Sequence, residues 1–168
     1  TNYKKNLLCS FEYYKMNHEV REKMTIDSEN ILNSILSSLE RIDYIKPTEI
    51  PNIDLYMDQV TTFMEEHLQS SKRYPDDKIL TKTMINNYAK NHLLPAPDKK
   101  KYSKEHLLLL IYIYYYKSIL SIGDIQSLLE PLTQRYFHKD GEMNMQSIYE
   151  EVFSLERQEV EKMKQDVI

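Results

Sequence analysis

Residues 81–90 carry several amide, hydroxyl and ammonium side chains, and no acidic residue lies between Leu80 and Pro97. The carboxamide of an asparagine can pair bidentately with adenine in the DNA major groove, which is wide enough for one α-helix. Lysine ammonium groups neutralise backbone phosphates. The side chains of this stretch therefore favour contact with double-stranded DNA. A short surface helix that packs on the core and carries incidental lysines remains the alternative.

A second group of lysines, Lys99 to Lys101, follows an extended proline-rich segment. Residues 80–106 hold six lysines against two acidic residues, a net charge of +4, whereas the whole chain carries −4. Such local concentration of positive charge is how a protein meets a polyanion without a high overall isoelectric point. A solvated lysine loop has the same composition, so this alternative stays open.

Eight residues of these two stretches are predicted to contact DNA. The amide and hydroxyl side chains suit base edges, and the lysines suit phosphates. The base-edge residues are Thr83, Asn86 and Asn87. The phosphate residues are Lys82, Lys90, Lys99, Lys100 and Lys101.

The elements that hold these side chains are predicted to be helices. Two glycines and six prolines in 168 residues are too few for a β-rich protein, which needs glycine turns. The chain is long enough for one domain with a hydrophobic core, with or without a helical appendage. The predicted fold class is therefore all-α, meaning mainly helical. The single cysteine, Cys9, excludes a disulfide within the chain and fits a reducing compartment.

Capping residues followed by apolar side chains at helical spacing mark the predicted helices. Thr81 and Ser103 are predicted to cap the helices on either side of the lysine run. The second of these helices is apolar almost all round, which places it centrally. Pro131 is predicted to end the helix that Ser121 begins. The predicted helices cover about residues 28–41, 54–68, 81–91, 103–120, 121–131 and 145–167.

Three parts are predicted along the chain. Residues 1–24 form an N-terminal arm or short helix, and residues 25–135 form a helical domain with the DNA-reading elements at about residues 52–130. Residues 136–168 form a C-terminal helix that either packs on its own core or forms a homodimer seam, since operators are usually two-fold. Its inward positions are predicted to be Met145, Ile148, Val152 and Leu155.

Several strings of the sequence resemble a bacterial family called domain of unknown function 1836. They are YIKP at residues 44–47, PNIDLYMDQV at 51–60, LTKTMINNY at 80–88, KKKYS at 99–103 and LSI at 120–122. The resemblance covers roughly residues 28–135 and is specific, because the strings are long and unusual. The family name implies no activity.

A more distant resemblance connects the same region with MerR-type winged helix-turn-helix regulators. The matching positions of the recognition helix and its exit are Ile85, Tyr88, Leu93, Leu94 and Pro95, and Lys100–Tyr102 resembles the basic exit of the wing. The chain departs from the pattern at Asn86, Asn87, Ala89 and His92, where those regulators have arginine, an aromatic residue, glutamate and glycine. The linker before Thr81 is also longer than the MerR turn. The resemblance implies a DNA-binding transcription regulator with a MerR-like winged helix-turn-helix, a short wing and flanking N- and C-terminal helices.

Other kinds of site find less support in the sequence. No glycine-rich phosphate loop, nucleophile elbow or histidine–carboxylate motif is present, so neither an enzyme nor a cofactor is predicted. His92 and His106 have no cysteine or acidic pair at ligand spacing, which argues against a metal site. The tyrosines at residues 112–116 either pack in the core or line a small-molecule pocket.

Two alternative functions remain at this point. One is a protein-interaction module that has lost DNA binding, and the other is a small-molecule sensor that uses the tyrosines, with an unknown effector. The longest apolar run, Leu107–Tyr116, is about half of the roughly 20 residues that a membrane span needs. The amino terminus has no signal-peptide pattern either. A cytoplasmic location without a membrane partner is therefore predicted.

Overall fold

The computed structural model describes residues 30–37, 44–72, 74, 76–139 and 141–167. The chain divides into two compact units, Ile42–Glu159 and Thr1–Arg41 with Val160–Ile168. In the smaller unit, residues 30–37 form helix α1, which confirms a helix at this position. The predicted arm, the cap of α1, its end near Arg41 and Cys9 lie outside the described residues.

The regular structure in the described residues of the larger unit is helical apart from one two-stranded sheet, so the predicted mainly helical class is confirmed. Its elements are β1 (Leu55–Tyr56), α2 (Met57–Leu68), a 3-10 turn (Gln69–Ser71), α3 (Lys82–Lys90), β2 (Lys101–Tyr102), α4 (Lys104–Tyr116), α5 (Ile122–Tyr136) and α6 (Met145–Val167). Of α6, the residues up to Glu159 belong to the larger unit.

The core of the larger unit is built around α4. Every residue from Leu107 to Ile113 is buried, as expected for a helix that is apolar on all sides. Residues of α2, α3, α5 and α6 are buried in the same cluster. Each buried leucine or isoleucine contributes about 1.5–3 kcal/mol relative to an exposed position. The predicted central helix is therefore confirmed.

The sheet is a feature that the sequence did not indicate. β1 and β2 pair antiparallel, with Leu55 opposite Tyr102 and Tyr56 opposite Lys101. α2 consequently begins at Met57, later than predicted, and its first turn is closed by the Tyr56 N–H donating to Gln59 Oε1 at 2.9 Å. Two residues are too few to show the alternating pattern by which strands are recognised.

The end of α5 differs from the prediction. The helix continues through Pro131 to Tyr136 instead of ending at the proline. A proline inside a helix removes one hydrogen bond and costs roughly 3 kcal/mol. Leu132 and Tyr136, which follow the proline, pack partly buried against the core, and their burial offsets part of that cost.

The inward face of α6 also differs from the prediction. Met145, Tyr149 and Phe153 are buried, whereas Leu155 is exposed. The Tyr149 hydroxyl donates to the backbone carbonyl of Ile45 at 2.7 Å, which fastens α6 to the segment before β1. Tyrosine and phenylalanine therefore outweigh the aliphatic side chains in setting the orientation of this helix. None of the helices in the described part of the chain combines the length and apolar character needed to cross a bilayer.

Candidate nucleic-acid interface

α3 separates its apolar and polar side chains onto opposite sides. Ile85 and Tyr88 are buried, and burial raises the pKa of the Tyr88 hydroxyl. Thr83, Asn86 and Asn87 are exposed. The three residues predicted to reach base edges therefore lie on the solvent side of the helix, with their hydroxyl and amide groups open to a partner.

The start of α3 is fixed by a cap and by the segment before it. Thr81 Oγ1 accepts the backbone N–H of Met84 at 3.2 Å, which confirms the predicted cap. Ile79 and Leu80 are buried immediately before the helix. The Lys117 ammonium donates to the backbone carbonyl of Ile79 at 2.7 Å, and burial lowers the pKa of this lysine. α3 thus begins at a position determined by the core.

The end of α3 is a Schellman turn formed without glycine. The Leu93 N–H donates to the Tyr88 carbonyl at 2.9 Å, and the His92 N–H donates to the Ala89 carbonyl at 3.2 Å. His92 has φ 58°, the left-handed region that glycine normally occupies at this position. The turn directs Leu93 and Leu94 back into the core, so α3 ends sharply and its exposed side is limited to three turns or fewer.

The lysine run forms a tight turn, which we call the lysine turn, from Asp98 to Lys101. The Lys101 N–H donates to the Asp98 carbonyl at 2.8 Å, and these two residues form an antiparallel bridge. Lys99 has φ 46° and Lys100 has φ 67°. Positive φ at both central residues is the type I′ pattern, for which asparagine and glycine are preferred. Two exposed ammonium groups therefore project from the tip of a two-residue hairpin.

The sheet fixes the base of the lysine turn. Tyr102 is buried opposite Leu55, so the backbone of β2 is held in the core. The Lys101 Nζ lies 5.3 Å from the ring centroid of Tyr56, its partner across the sheet. A lysine over an exposed ring of this kind is stabilised by about 0.5–1 kcal/mol. Lys101 is consequently half-buried, in contrast to Lys99 and Lys100.

Four of the five predicted phosphate residues are exposed, and they differ in their surroundings. Lys82 forms an ion pair with Asp58 of α2. No described carboxylate forms an ion pair with Lys90, Lys99 or Lys100. α2 contacts both α3 and β2, so the two basic elements are attached to the same helix.

His106 is a buried residue of α4 that packs beside β2. Its Nδ1 accepts the backbone N–H of Ser103 at 3.0 Å, closing the first turn of α4 where a capping box usually has glutamate or glutamine. Burial lowers the pKa of His106 to about 4, although the nearby Ala96 carbonyl partly counteracts this. The neutral ring packs edge-on against Tyr102 and Phe137, with centroid distances of 5.5 and 4.9 Å. The sequence showed only the spacing of Ser103 and His106, not this role.

The tyrosines of α4 pack against aromatic residues of α6. Tyr112 is 1% exposed, and its ring lies 5.4 Å from those of Tyr149 and Phe153. Burial, together with the nearby Glu156 carboxylate, raises the pKa of Tyr116 to about 12. The geometry is that of a packed aromatic core. Among the described residues, no group of histidine, cysteine, aspartate and glutamate is arranged to hold a metal ion.

Comparison with known proteins identifies one family. The model of a family described as domain of unknown function (DUF1836) matches residues 45–152. This match spans more than half of the chain, so the chain belongs to that family. No curated protein and no solved structure matches the chain significantly.

Proposed function

We propose that this member of the DUF1836 family is a DNA-binding transcription regulator of the winged helix-turn-helix type. α3 enters the major groove, and the lysine turn acts as a short wing on the neighbouring backbone. Thr83, Asn86 and Asn87 contact base edges. The phosphate contacts come from Lys82, Lys90, Lys99, Lys100 and Lys101.

The observation that carries the proposal is the exposed side of α3. Asn86 and Asn87 are exposed on a helix that is held by buried Ile85 and Tyr88. No acidic residue lies on α3, in a chain whose overall charge is −4. A helix that presents amides and ammonium groups without carboxylates suits the edges and phosphates of a duplex.

Backbone strain in the lysine turn supports the same function. A left-handed conformation costs a non-glycine residue about 1–2 kcal/mol, and Lys99 and Lys100 both adopt it. Asparagine followed by glycine would form the same turn at lower free energy. Strained backbone tends to be kept where a side chain serves a function. Phosphate binding gives two adjacent ammonium groups at a hairpin tip such a function.

The order of elements also favours a winged helix-turn-helix related to the MerR type. β1 precedes the helix pair α2 and α3, and it pairs with β2, which follows the lysine turn. The strand pairing holds the base of the lysine turn beside the start of α2, which supports a wing at this position. The linker at residues 69–81 is longer than a helix-turn-helix turn and carries the buried Ile79 and Leu80.

In this role the protein acts in the cytoplasm on double-stranded DNA, as a homodimer. One recognition helix of nine residues contacts few base pairs, and two copies on a two-fold operator supply the remaining specificity. No cofactor or catalytic step is required.

The salt dependence of DNA binding tests the proposal. Each phosphate contact contributes about 0.9 to the slope of log affinity against log salt concentration. The slope is negative, and replacing Lys99, Lys100 and Lys101 together by glutamine should reduce its magnitude by up to about three. A triple glutamine variant at the exposed Lys46, Lys78 and Lys162 makes the same change in net charge and should leave the slope nearly unchanged. Equal effects of the two variants would contradict a specific role of the lysine turn.

A further inference from the structure

An apolar groove with an acidic rim runs along α2. It has a volume of about 350 Å³ and opens to solvent. Its floor includes Pro51, Leu55 and Phe63, and the last two are buried core residues. Its rim carries the polar side chains of Asp58, Gln59 and Glu66. The floor is therefore held by the core, while the three rim side chains are exposed to solvent.

The described lining of the groove carries only negative charge. Among its described residues, Asp58 and Glu66 are ionisable, and none is a lysine, arginine or histidine. Glu66 is exposed and forms no ion pair with any described residue. Asp58 is paired with Lys82, but both side chains are largely exposed, so this pair is weak. A bound cation can therefore approach both ends of the rim.

We propose that this groove docks a segment of a partner protein in which apolar and cationic side chains alternate. Apolar side chains cover Leu55 and Phe63, while lysine or arginine pairs with Glu66 and Asp58. Interfaces arranged with complementary charge select their partners and reject like-charged ones. Nucleic acids and anionic lipid surfaces are disfavoured because their phosphates meet two carboxylates. Recognition of an extended segment by pockets for alternate side chains is a common mode of peptide binding.

Docking at the groove goes beyond the proposed DNA binding and does not depend on it. Asp58 nevertheless connects the two surfaces, because its carboxylate holds Lys82 of α3. A partner cation that pairs with Asp58 leaves the Lys82 ammonium unpaired. The groove can thus make one phosphate-binding group available without any change of fold.

The test uses two synthetic octapeptides and the full chain labelled with nitrogen-15, in the absence of DNA. One peptide alternates leucine with lysine, and its twin alternates leucine with glutamate. The leucine–lysine peptide should shift the amide resonances of Leu55, Gln59 and Glu66, and the glutamate twin should not. Glu66→Lys should weaken binding of the leucine–lysine peptide by about fivefold. This factor corresponds to about 1 kcal/mol, the upper end of the range for an exposed ion pair. Glu142→Lys, at an exposed acid outside the groove, makes the same charge change and should leave the affinity unaltered.

Three outcomes would overturn docking. The first is equal shifts with both peptides, and the second is equal weakening by the two charge reversals. The third is a concentration-dependent shift of the groove resonances without peptide, which would show that a second copy of the chain occupies the groove. Because DNA is absent, none of these outcomes bears on the proposed regulator function.

Discussion

The Lys82 ammonium on α3 pairs with the Asp58 carboxylate in the first turn of α2. The two side chains are 59% and 78% exposed, and an exposed pair of this kind is worth about 0.2–1 kcal/mol. A DNA phosphate can therefore displace Asp58 from Lys82 at small cost. The pair joins the proposed DNA-binding side of α3 to the groove on α2.

Asp58→Asn should strengthen DNA binding by about 1.5- to 5-fold, because Lys82 no longer has to leave a carboxylate. Asn retains the shape of the side chain and removes the charge. Fluorescence anisotropy of a labelled duplex at several salt concentrations measures the change. Glu66→Gln changes the net charge equally, but Glu66 forms no ion pair with a described lysine. If both variants strengthened DNA binding equally, the effect of Asp58→Asn would come from net charge and not from the ion pair with Lys82.

Lys99→Asn combined with Lys100→Gly should stabilise the protein while weakening DNA binding. Asparagine and glycine fit the positive φ of the type I′ turn, so the free energy of unfolding should rise by about 1–2 kcal/mol. Loss of two ammonium groups should reduce the magnitude of the salt slope of DNA binding by about two. Urea denaturation and anisotropy titrations measure the two quantities.

His92→Gly provides the matched control for strain. It relieves the same left-handed conformation at the end of α3 without removing a lysine. It should therefore stabilise the protein by about 1 kcal/mol and leave the salt slope unchanged. If the lysine-turn variant gave no stabilisation while His92→Gly did, the strain assigned to Lys99 and Lys100 would be wrong.

Asn86→Ala should cost about 1–3 kcal/mol on a specific site while leaving non-specific binding almost intact. The reason is that a carboxamide reads a base edge, whereas non-specific affinity comes from phosphates. Competition titrations with a selected duplex and with a scrambled duplex of equal length separate the two. Asn33→Ala, at an exposed asparagine of α1, serves as the control. An equal loss of affinity for both duplexes would show that Asn86 does not contact a base edge.

Stability should fall in mild acid because of His106. Burial lowers the pKa of His106 in the folded chain to about 4, whereas a histidine in an unfolded chain has a pKa of about 6.5. The unfolded chain therefore binds the proton more readily between these values. The neutral ring therefore contributes fully to the free energy of unfolding above about pH 6.5. As the pH falls from 6.5 to 4, this contribution decreases by about 3 kcal/mol in total.

His106→Gln separates this titration from that of the carboxylates. A glutamine can still accept the Ser103 N–H and close the capping box, but it does not titrate. Thermal or urea unfolding of both proteins at pH 4.5 and 7.5 should show a smaller acid loss in the variant. The same acid loss in both would mean that His106 is not the group responsible.

The sequence was sufficient for features that depend on local signals. The cap at Thr81 is predicted from the sequence, and the burial of Ile85 and Tyr88 and the exposure of Asn86 and Asn87 agree with helical spacing and side-chain chemistry. The eight predicted contact residues lie on α3 and the lysine turn, and their contact with DNA stays a prediction. Local signals are reliable here because α3 is short and has a clearly divided polar and apolar side.

Features that depend on tertiary contacts were not predictable. The strand pairing of Tyr56 with Lys101 and the ion pair of Asp58 with Lys82 join residues that are distant in sequence. The type I′ turn was concealed because lysine is a poor indicator of positive φ. The sequence predicts the end of α5 at Pro131, because the cost of a proline is visible in the sequence and the compensating burial of the residues after it is not.

Selection of bound fragments from a pool of random duplexes at near-physiological salt tests the central claim most directly. If α3 reads base edges, the wild-type protein should enrich a short recurrent sequence, with adenine among its preferred bases because of Asn86 and Asn87. Asn86→Ala should lose the preference at one position of that sequence. Enrichment of no sequence by the wild-type protein, or the same sequence from wild type and variants of both asparagines, would contradict DNA reading by α3.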